Sequence, residues 1–270
     1  MPLTLRAHGS SSSVAIVPSR GALITGWHVG GRERLYLDPT TLADPTKNVR
    51  GGIPLLFPSP GKLENGEFTR AGKRGAMKQH GFARDLPWTV TAQTEASVAL
   101  SLSSSEATLK VFPWDFAISL EVVVSDLHLR LAVRIDNTGN APLPCGFGIH
   151  PYFAVTDKAH AKITTGATRV WNNVTGAFAP FQGFHLGEGE TDLHLLDHGS
   201  TESMLSSDGG HVTVRTSPEF GRWVVWTLPG KEFVCLEPWT TPGNGLNTGE
   251  GLLTIAAGEA RELWIELEGG

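Results

Sequence analysis

Apolar residues recur at every second position in several stretches of the chain, the signature of a strand with one buried face. Leu127, Leu129, Leu131, Val133 and Ile135 form the cleanest run, with His128, Arg130 and Arg134 on the other face, and it stops at the turn cluster Asn137-Thr138-Gly139-Asn140. Val98, Leu100 and Leu102 repeat the pattern, as do Phe116, Ile118, Leu120 and Val122, then Val212 and Val214, and finally Leu263, Ile265 and Leu267. Helical spacing is scarce, because Gly or Pro interrupts most candidate windows and either one weakens a helix interior. Many short strands punctuated by turns predict an all-β sandwich or barrel. No composition shift, long linker or internal repeat divides the chain, so residues 1–270 are expected to form one large β domain.

Composition fits that picture and narrows the partner. Of 270 residues, 40% are hydrophobic and 18% charged, and Gly 32 with Pro 17 supply the turns. A net charge of −5 without a basic block argues against nucleic acid or an anionic membrane and favours a small, uncharged ligand. Met1 to Ser10 has no apolar core of the secretory kind, and no run approaches the ~20 apolar residues that span a bilayer, so a cytoplasmic location is expected. In that reducing setting Cys145 and Cys235, without a CxxC, read as buried free thiols, and the sequon Asn173-Val174-Thr175 carries no meaning. Neither a monomer nor a homodimer is excluded.

Four stretches break the strand rhythm with dense Gly, Pro, His, aromatic and charged residues: Arg50 to Lys62, Gln79 to Arg84, Gly146 to Phe153 and Cys235 to Thr240. His150 and Glu237 each precede a proline, which pushes them into an extended conformation and fixes the direction of their side chains. Taken singly, each also reads as a hydrogen-bonded residue at a strand end. The remaining histidines, His8, His28, His128, His160, His185, His194, His198 and His211, show no metal-ligand spacing backed by a carboxylate. Gly51-Gly52 lacks the lysine and helix of a P-loop. Glycoside hydrolysis would need a second carboxylate about 5 to 9.5 Å from Glu237, and no residue stands out for that role.

Gly51-Gly52-Ile53-Pro54 with Phe57-Pro58, then His80-Gly81-Phe82-Ala83-Arg84, then His150-Pro151-Tyr152-Phe153, then Glu237-Pro238-Trp239 closely resemble the aldose 1-epimerases of the galactose mutarotase superfamily, in order and approximate spacing. The resemblance runs from Arg50 to the C-terminus. It implies a large antiparallel β-sandwich, the galactose mutarotase-like supersandwich, with a sugar in an open cleft. It also implies His150 as general acid, Glu237 as general base and His80 as a sugar-binding residue. The chemistry needs no cofactor and no metal, since a hemiacetal opens when its anomeric hydroxyl loses a proton and its ring oxygen gains one. On this reading Glu237 starts ionised and His150 protonated.

Further positions follow from the same resemblance. Trp239 and Phe153 offer aromatic faces to a pyranose or pack in the core. Asp192 sits where the family often has a sugar-binding Asp, or is a solvated loop acid. Lys62 stands where galactose-type members commonly carry Arg, and it cannot reproduce a planar five-donor fork. Arg50 and Arg84 resemble the arginines that bind phosphate in the hexose-6-phosphate branch, unless they pair with carboxylates such as Asp85 or Glu64. The expected activity is an aldose 1-epimerase acting on a free hexose; the alternatives are a hexose-6-phosphate 1-epimerase and a non-catalytic carbohydrate-binding or sensing module.

Overall fold

The structure, a computed structural model, describes residues 3–6, 12–44 and 46–270. His8 and most of the Met1–Ser10 segment lie outside those residues. Two eight-stranded antiparallel sheets dominate. The first contains, in spatial order, Lys162–Ile163, Glu202–Ser207, Gly210–Thr216, Ala260–Gly269, His128–Asn137, Phe116–Val124, Ser97–Ser103 and Thr89–Gln93. Every alternating run read from the sequence falls in this sheet. Val98, Leu100, Ile118, Leu120, Leu131, Val133, Ile265 and Leu267 point inward and are buried, while the intervening residues face water. Leu127 departs from the expectation: it precedes the strand and is 43% exposed.

The second sheet runs Ala177–Pro180, Arg169–Asn172, Thr191–Leu195, Arg222–Thr227, Phe233–Trp239, Gly148–Ile149 and Leu55–Leu56, and Tyr152–Ala154 also pairs with Phe233–Trp239. Its central strands show little alternation because both faces are covered; Phe233–Trp239 is buried at every position. One face, through Val170, Leu195, Val225, Val234, Leu236 and Ile149, packs against the inward side of the first sheet in one contiguous core. A four-stranded antiparallel sheet from the N-terminal region, Leu3–Arg6, Ser13–Val17, Leu23–Val29 and Arg32–Glu33, adds Ile16, Ile24 and Trp27 to that core. Helices among the described residues are short, and none is long and apolar enough to cross a membrane. The β-sandwich expected from the strand pattern is therefore present.

Leu131 is fully buried at the centre of the first sheet, with strands on both sides. Leu131→Ala should cost about 2–5 kcal/mol, transfer and cavity together. Glu121→Gln, on the water-facing side of the neighbouring strand, should change stability by less than about 0.5 kcal/mol. Urea unfolding of the two variants checks this; equal effects would contradict the assignment of faces.

Candidate active site

Side chains directly paired across a sheet share a face, so the register of the second sheet decides which residues meet. Trp171 pairs with His194, His194 with Val224 and Val224 with Glu237, which makes one row. The next row is Asp192, Trp226, Cys235 and Tyr152, and another is Arg222, Trp239, Gly148 and Leu56. All three rows lie on the face turned away from the main core. Along Phe233–Trp239 the two-residue period sends Val234 and Leu236 into the core and Cys235, Glu237 and Trp239 onto the opposite face. That opposite face gathers ionisable residues of the motif stretches.

His150 follows Gly148–Ile149. Its N–H donates to the Pro54 carbonyl at 3.0 Å, and Pro151 holds it extended. The ring reaches Glu237, with Nδ1 at 3.4 Å from Oε1, and stacks on Tyr152 at 4.7 Å between centroids and 9° between planes. Trp226 closes another side edge-on at 5.5 Å. The other carboxylate oxygen of Glu237 accepts from the Trp239 indole N–H at 3.2 Å, which leaves Oε1 facing the imidazole. Glycine is required at 148, because a Cβ there would stand 2.7 Å from Trp239 Cδ1 and displace the indole that orients the carboxylate.

His80 enters from the Gln79–Arg84 turn, its ring 5.4 Å from that of His150 and 5.9 Å from that of Trp239. It holds a φ of 75°, and Gly81 beside it holds 70°. A Cβ on Gly81 would sit 2.1 Å from the Phe57 carbonyl oxygen, so only glycine fits. A left-handed histidine costs roughly 1–3 kcal/mol and persists where its surroundings impose it. Here the Nδ1–H donates to the Pro60 carbonyl in a close contact, which leaves Nε2 free to accept from a ligand hydroxyl.

Burial governs the charges. Glu237 is 1% exposed, and desolvation raises its pKa well above the ordinary value, with the negative charge of Asp192 adding to the effect. Desolvation lowers that of His150 well below 6.5, reinforced by its coupling to a protonated His80 and by the positive charges of Arg84 and Arg50. Both shifts favour the neutral pair, a carboxylic acid beside an uncharged imidazole. The expected starting state, an ionised Glu237 and a protonated His150, is thus the disfavoured tautomer of the buried pair, because each isolated charge would lose its water.

The other expected residues distribute unevenly. Arg84 lies over the same region: its Nη2 donates to the Gln79 carbonyl at 3.3 Å, and its buried Nε has no hydrogen-bond partner. Arg50 is exposed, its guanidinium 5.9 Å from the Trp226 ring centre. Neither arginine has a carboxylate oxygen within 4 Å among the described residues, so the pairing with Asp85 or Glu64 is not formed. Asp192 is partly buried, accepts from Asn173 Nδ2 at 2.8 Å and lies 3.7 Å from His194 Nε2, which removes the alternative of a solvated loop acid. Lys62 makes no contact with this group; its side chain is exposed and its carbonyl accepts from Asn244 at 2.8 Å.

For the two aromatic residues the structure favours the packed alternative. Phe153 points into the main core, and Tyr152, one residue earlier on the opposite face, lies against His150 instead. Trp239 is only 3% exposed and serves as a donor to Glu237 rather than as an open platform. His194 and Trp226 join the site without having been singled out for it. Their signal was available only through register, since neither sits in a Gly- or Pro-rich segment. Both cysteines are free and buried, as expected.

The sequence model of the family described as Aldose 1-epimerase matches residues 3–268. Among solved structures, the chain is similar to the Slr1438 protein of Synechocystis sp. PCC 6803, with a TM-score of 0.97 and 35% identity over 100% of this chain and 96% of that one. It also shares the fold of a galactose mutarotase-like protein from Lactobacillus casei ATCC 334, with a TM-score of 0.83 and 21% identity over 100% of both chains. Among curated proteins, it is 30% identical over 168 residues, 57% of this chain and 48% of the relative, to a Cenchrus ciliaris protein named "Putative glucose-6-phosphate 1-epimerase". A protein of the same name in Escherichia coli (strain K12) is 29% identical over 166 residues, 58% of this chain and 51% of the relative. The chain thus spans about half the length of the curated relatives it matches.

Burial makes a pH prediction with a definite sign. Desolvation, helped by Arg84 and Arg222 respectively, pushes His80 down to about 3 and His194 to about 4. Between those values and 6.5 the unfolded chain binds protons that the native chain refuses, so these groups and His150 make stability fall as pH drops below 6.5. Glu237 acts in the opposite sense, since above 4.5 only the unfolded chain loses its proton, and it offsets one histidine. The imidazole NMR signals of His80 and His194 should therefore keep their neutral shifts from pH 8 to 5, and the urea midpoint should fall from pH 6.5 to 4.5. Titration of His80 near 6.5 would contradict the assigned environment.

Proposed function

The chain belongs to the aldose 1-epimerase family, and from that membership we propose that it interconverts the α and β anomers of a hexose, with His150 and Glu237 moving the protons. The observation that carries this reading is the 3.4 Å contact between His150 Nδ1 and Glu237 Oε1, buried on one sheet face while Trp239 holds the second carboxylate oxygen. An acid and a base this close can serve the hydroxyl and the ring oxygen of one hemiacetal carbon, each contributing on the order of 10²–10⁴-fold. His80, with Nε2 as acceptor, suits a neighbouring hydroxyl.

The proton inventory follows from the burial. In ring opening, Glu237 takes the proton of the anomeric hydroxyl while His150 gives one to the ring oxygen. That step leaves Glu237 protonated and His150 neutral, which is the charge state that desolvation favours. Burial therefore favours the charge state that the pair holds at the open-chain stage. To begin, the pair closes its 3.4 Å separation into a hydrogen bond and one proton passes from Glu237 to His150, as the sugar hydroxyls supply the dipoles that an ion pair needs. After rotation about the bond between carbons 1 and 2, the same transfers in reverse close the ring on the other face.

A second reading, a hexose 6-phosphate as substrate, is favoured by Arg50 and Arg84. Both lie beside the dyad without a carboxylate partner among the described residues, and the buried Nε of Arg84 has a donor to spare. A cavity of about 200 Å³ bordered by Lys47, Pro54, Lys78 and Arg84 adds positive charge on the side of the chain that holds His150 through Pro54. A phosphate accepts bidentate bonds from guanidinium groups. The names of the curated relatives agree with this reading.

Exchange NMR on α-glucose, α-galactose and glucose 6-phosphate tests both readings. Acceleration of none of the three would overturn the enzyme reading, and binding without acceleration would favour a sensing module. Glu237→Gln and His150→Asn should each lower the rate by about 10²–10⁴-fold. If the phosphosugar is the substrate, Arg84→Ala should raise KM for glucose 6-phosphate at least about tenfold more than for glucose. Trp239→Phe keeps the apolar bulk and removes one donor to a carboxylate, worth about 1.5–3 kcal/mol, so kcat should fall roughly ten- to a hundredfold with KM nearly unchanged. An unaltered kcat would remove Trp239 from its orienting role.

A further inference from the structure

Cys235 has no part in the proton transfers, yet the period of its strand sets it on the same face as Glu237, two residues away. An imidazole nitrogen of His150, Cys235 Sγ and one oxygen of Glu237 all lie within 4.8 Å of one another, the one trio among the described residues with such proximity. Each member is buried, and His150 Nδ1 has no hydrogen-bond partner. We propose that these three side chains form a binding site for a thiophilic divalent cation, Zn²⁺ in the first instance, which occludes the acid–base pair.

A tetrahedral zinc site with nitrogen and oxygen ligands near 2.0–2.2 Å and sulfur near 2.3 Å places its ligand atoms roughly 3.3 to 3.6 Å apart. The imidazole and carboxylate, at 3.4 Å, already meet that spacing. The sulfur lies no more than 4.8 Å from the other two ligand atoms, so a closure of about 1 Å brings it to that spacing. Trp239 occupies Oε2 and so directs Oε1 toward the metal. Three protein ligands leave a fourth position for water or a sugar hydroxyl, the geometry of an open zinc site. Binding replaces the thiol proton of Cys235 and the carboxyl proton of Glu237, so two protons leave for each cation that enters.

The ligand set also states a preference. Thiolate and imidazole select Zn²⁺, Cd²⁺ or Co²⁺ over Mg²⁺ and Ca²⁺, which favour oxygen alone. The positive charges of Arg50 and Arg84 near His150 oppose a dication, so the site is weaker than a dedicated structural one and a bound sugar competes with the metal. Metal binding itself is read without activity and stands whether or not the epimerase reading does.

The test uses the full chain. Zn²⁺ titrated by calorimetry should bind one to one, and Co²⁺ should produce a thiolate-to-cobalt charge-transfer band in the near ultraviolet. Cys235→Ser, with its fold verified by circular dichroism, should lose the band and weaken Zn²⁺ binding at least about tenfold. Glu237→Gln, which keeps the thiol, should weaken it comparably and serves if the cysteine variant does not fold. Mg²⁺ should give no heat. A Co²⁺ complex without the band, or Zn²⁺ binding equally tightly to the folded Cys235→Ser chain, or Mg²⁺ matching Zn²⁺, would overturn the proposal.

Discussion

The register of Phe233–Trp239 cannot slip. The strand is bonded along both edges and covered on both faces, and a shift by one residue would drive Glu237 into the apolar core while turning Val234 and Leu236 outward. Burying an isolated carboxyl group among Leu and Val side chains is expensive, and the exposed valine and leucine would forfeit their own burial. The core therefore holds the strand in one alignment, and that alignment brings Glu237 opposite His150 and Trp239 next to both. Packing on one side of a sheet determines chemistry on the other.

The residues around the pair break several rules that hold elsewhere in the chain. A carboxyl group is almost fully enclosed, an imidazole has an unpartnered nitrogen, and a histidine adopts a positive φ. Such departures concentrate where a fold performs work, because the surrounding structure must impose them. Here the imposing elements are identifiable. Gly148 and Gly81 allow the close approaches, Pro151 and Pro238 keep His150 and Glu237 extended, and the Pro60 carbonyl fixes the tautomer of His80.

The sequence was most legible where one face meets water. Leu129 to Ile135 and Phe116 to Val122 alternate because solvent and core impose opposite demands on successive residues, and those strands appear where expected. The second sheet is opaque to that reading, since Phe233–Trp239 and Arg222–Thr227 are covered on both faces and carry apolar residues in succession. The dyad was visible through its proline-flanked motifs and the family they resemble. His194 and Trp226 were not, because their place depends on which strands become neighbours. The choice left open at Phe153 has the same origin: a motif names a stretch, but the pleat decides that Phe153 enters the core and Tyr152 lies on the face of the dyad.

The enclosure of the His150–Glu237 pair bears on the kinship between this site and bulk water. In the proposed cycle the pair holds one proton throughout, lends it to the ring oxygen, receives another from the anomeric hydroxyl, and ends as it began. No proton has to arrive from the medium or depart to it during a turnover. A dry site, which would starve a hydrolase of its second substrate, leaves this isomerisation with everything it uses already inside.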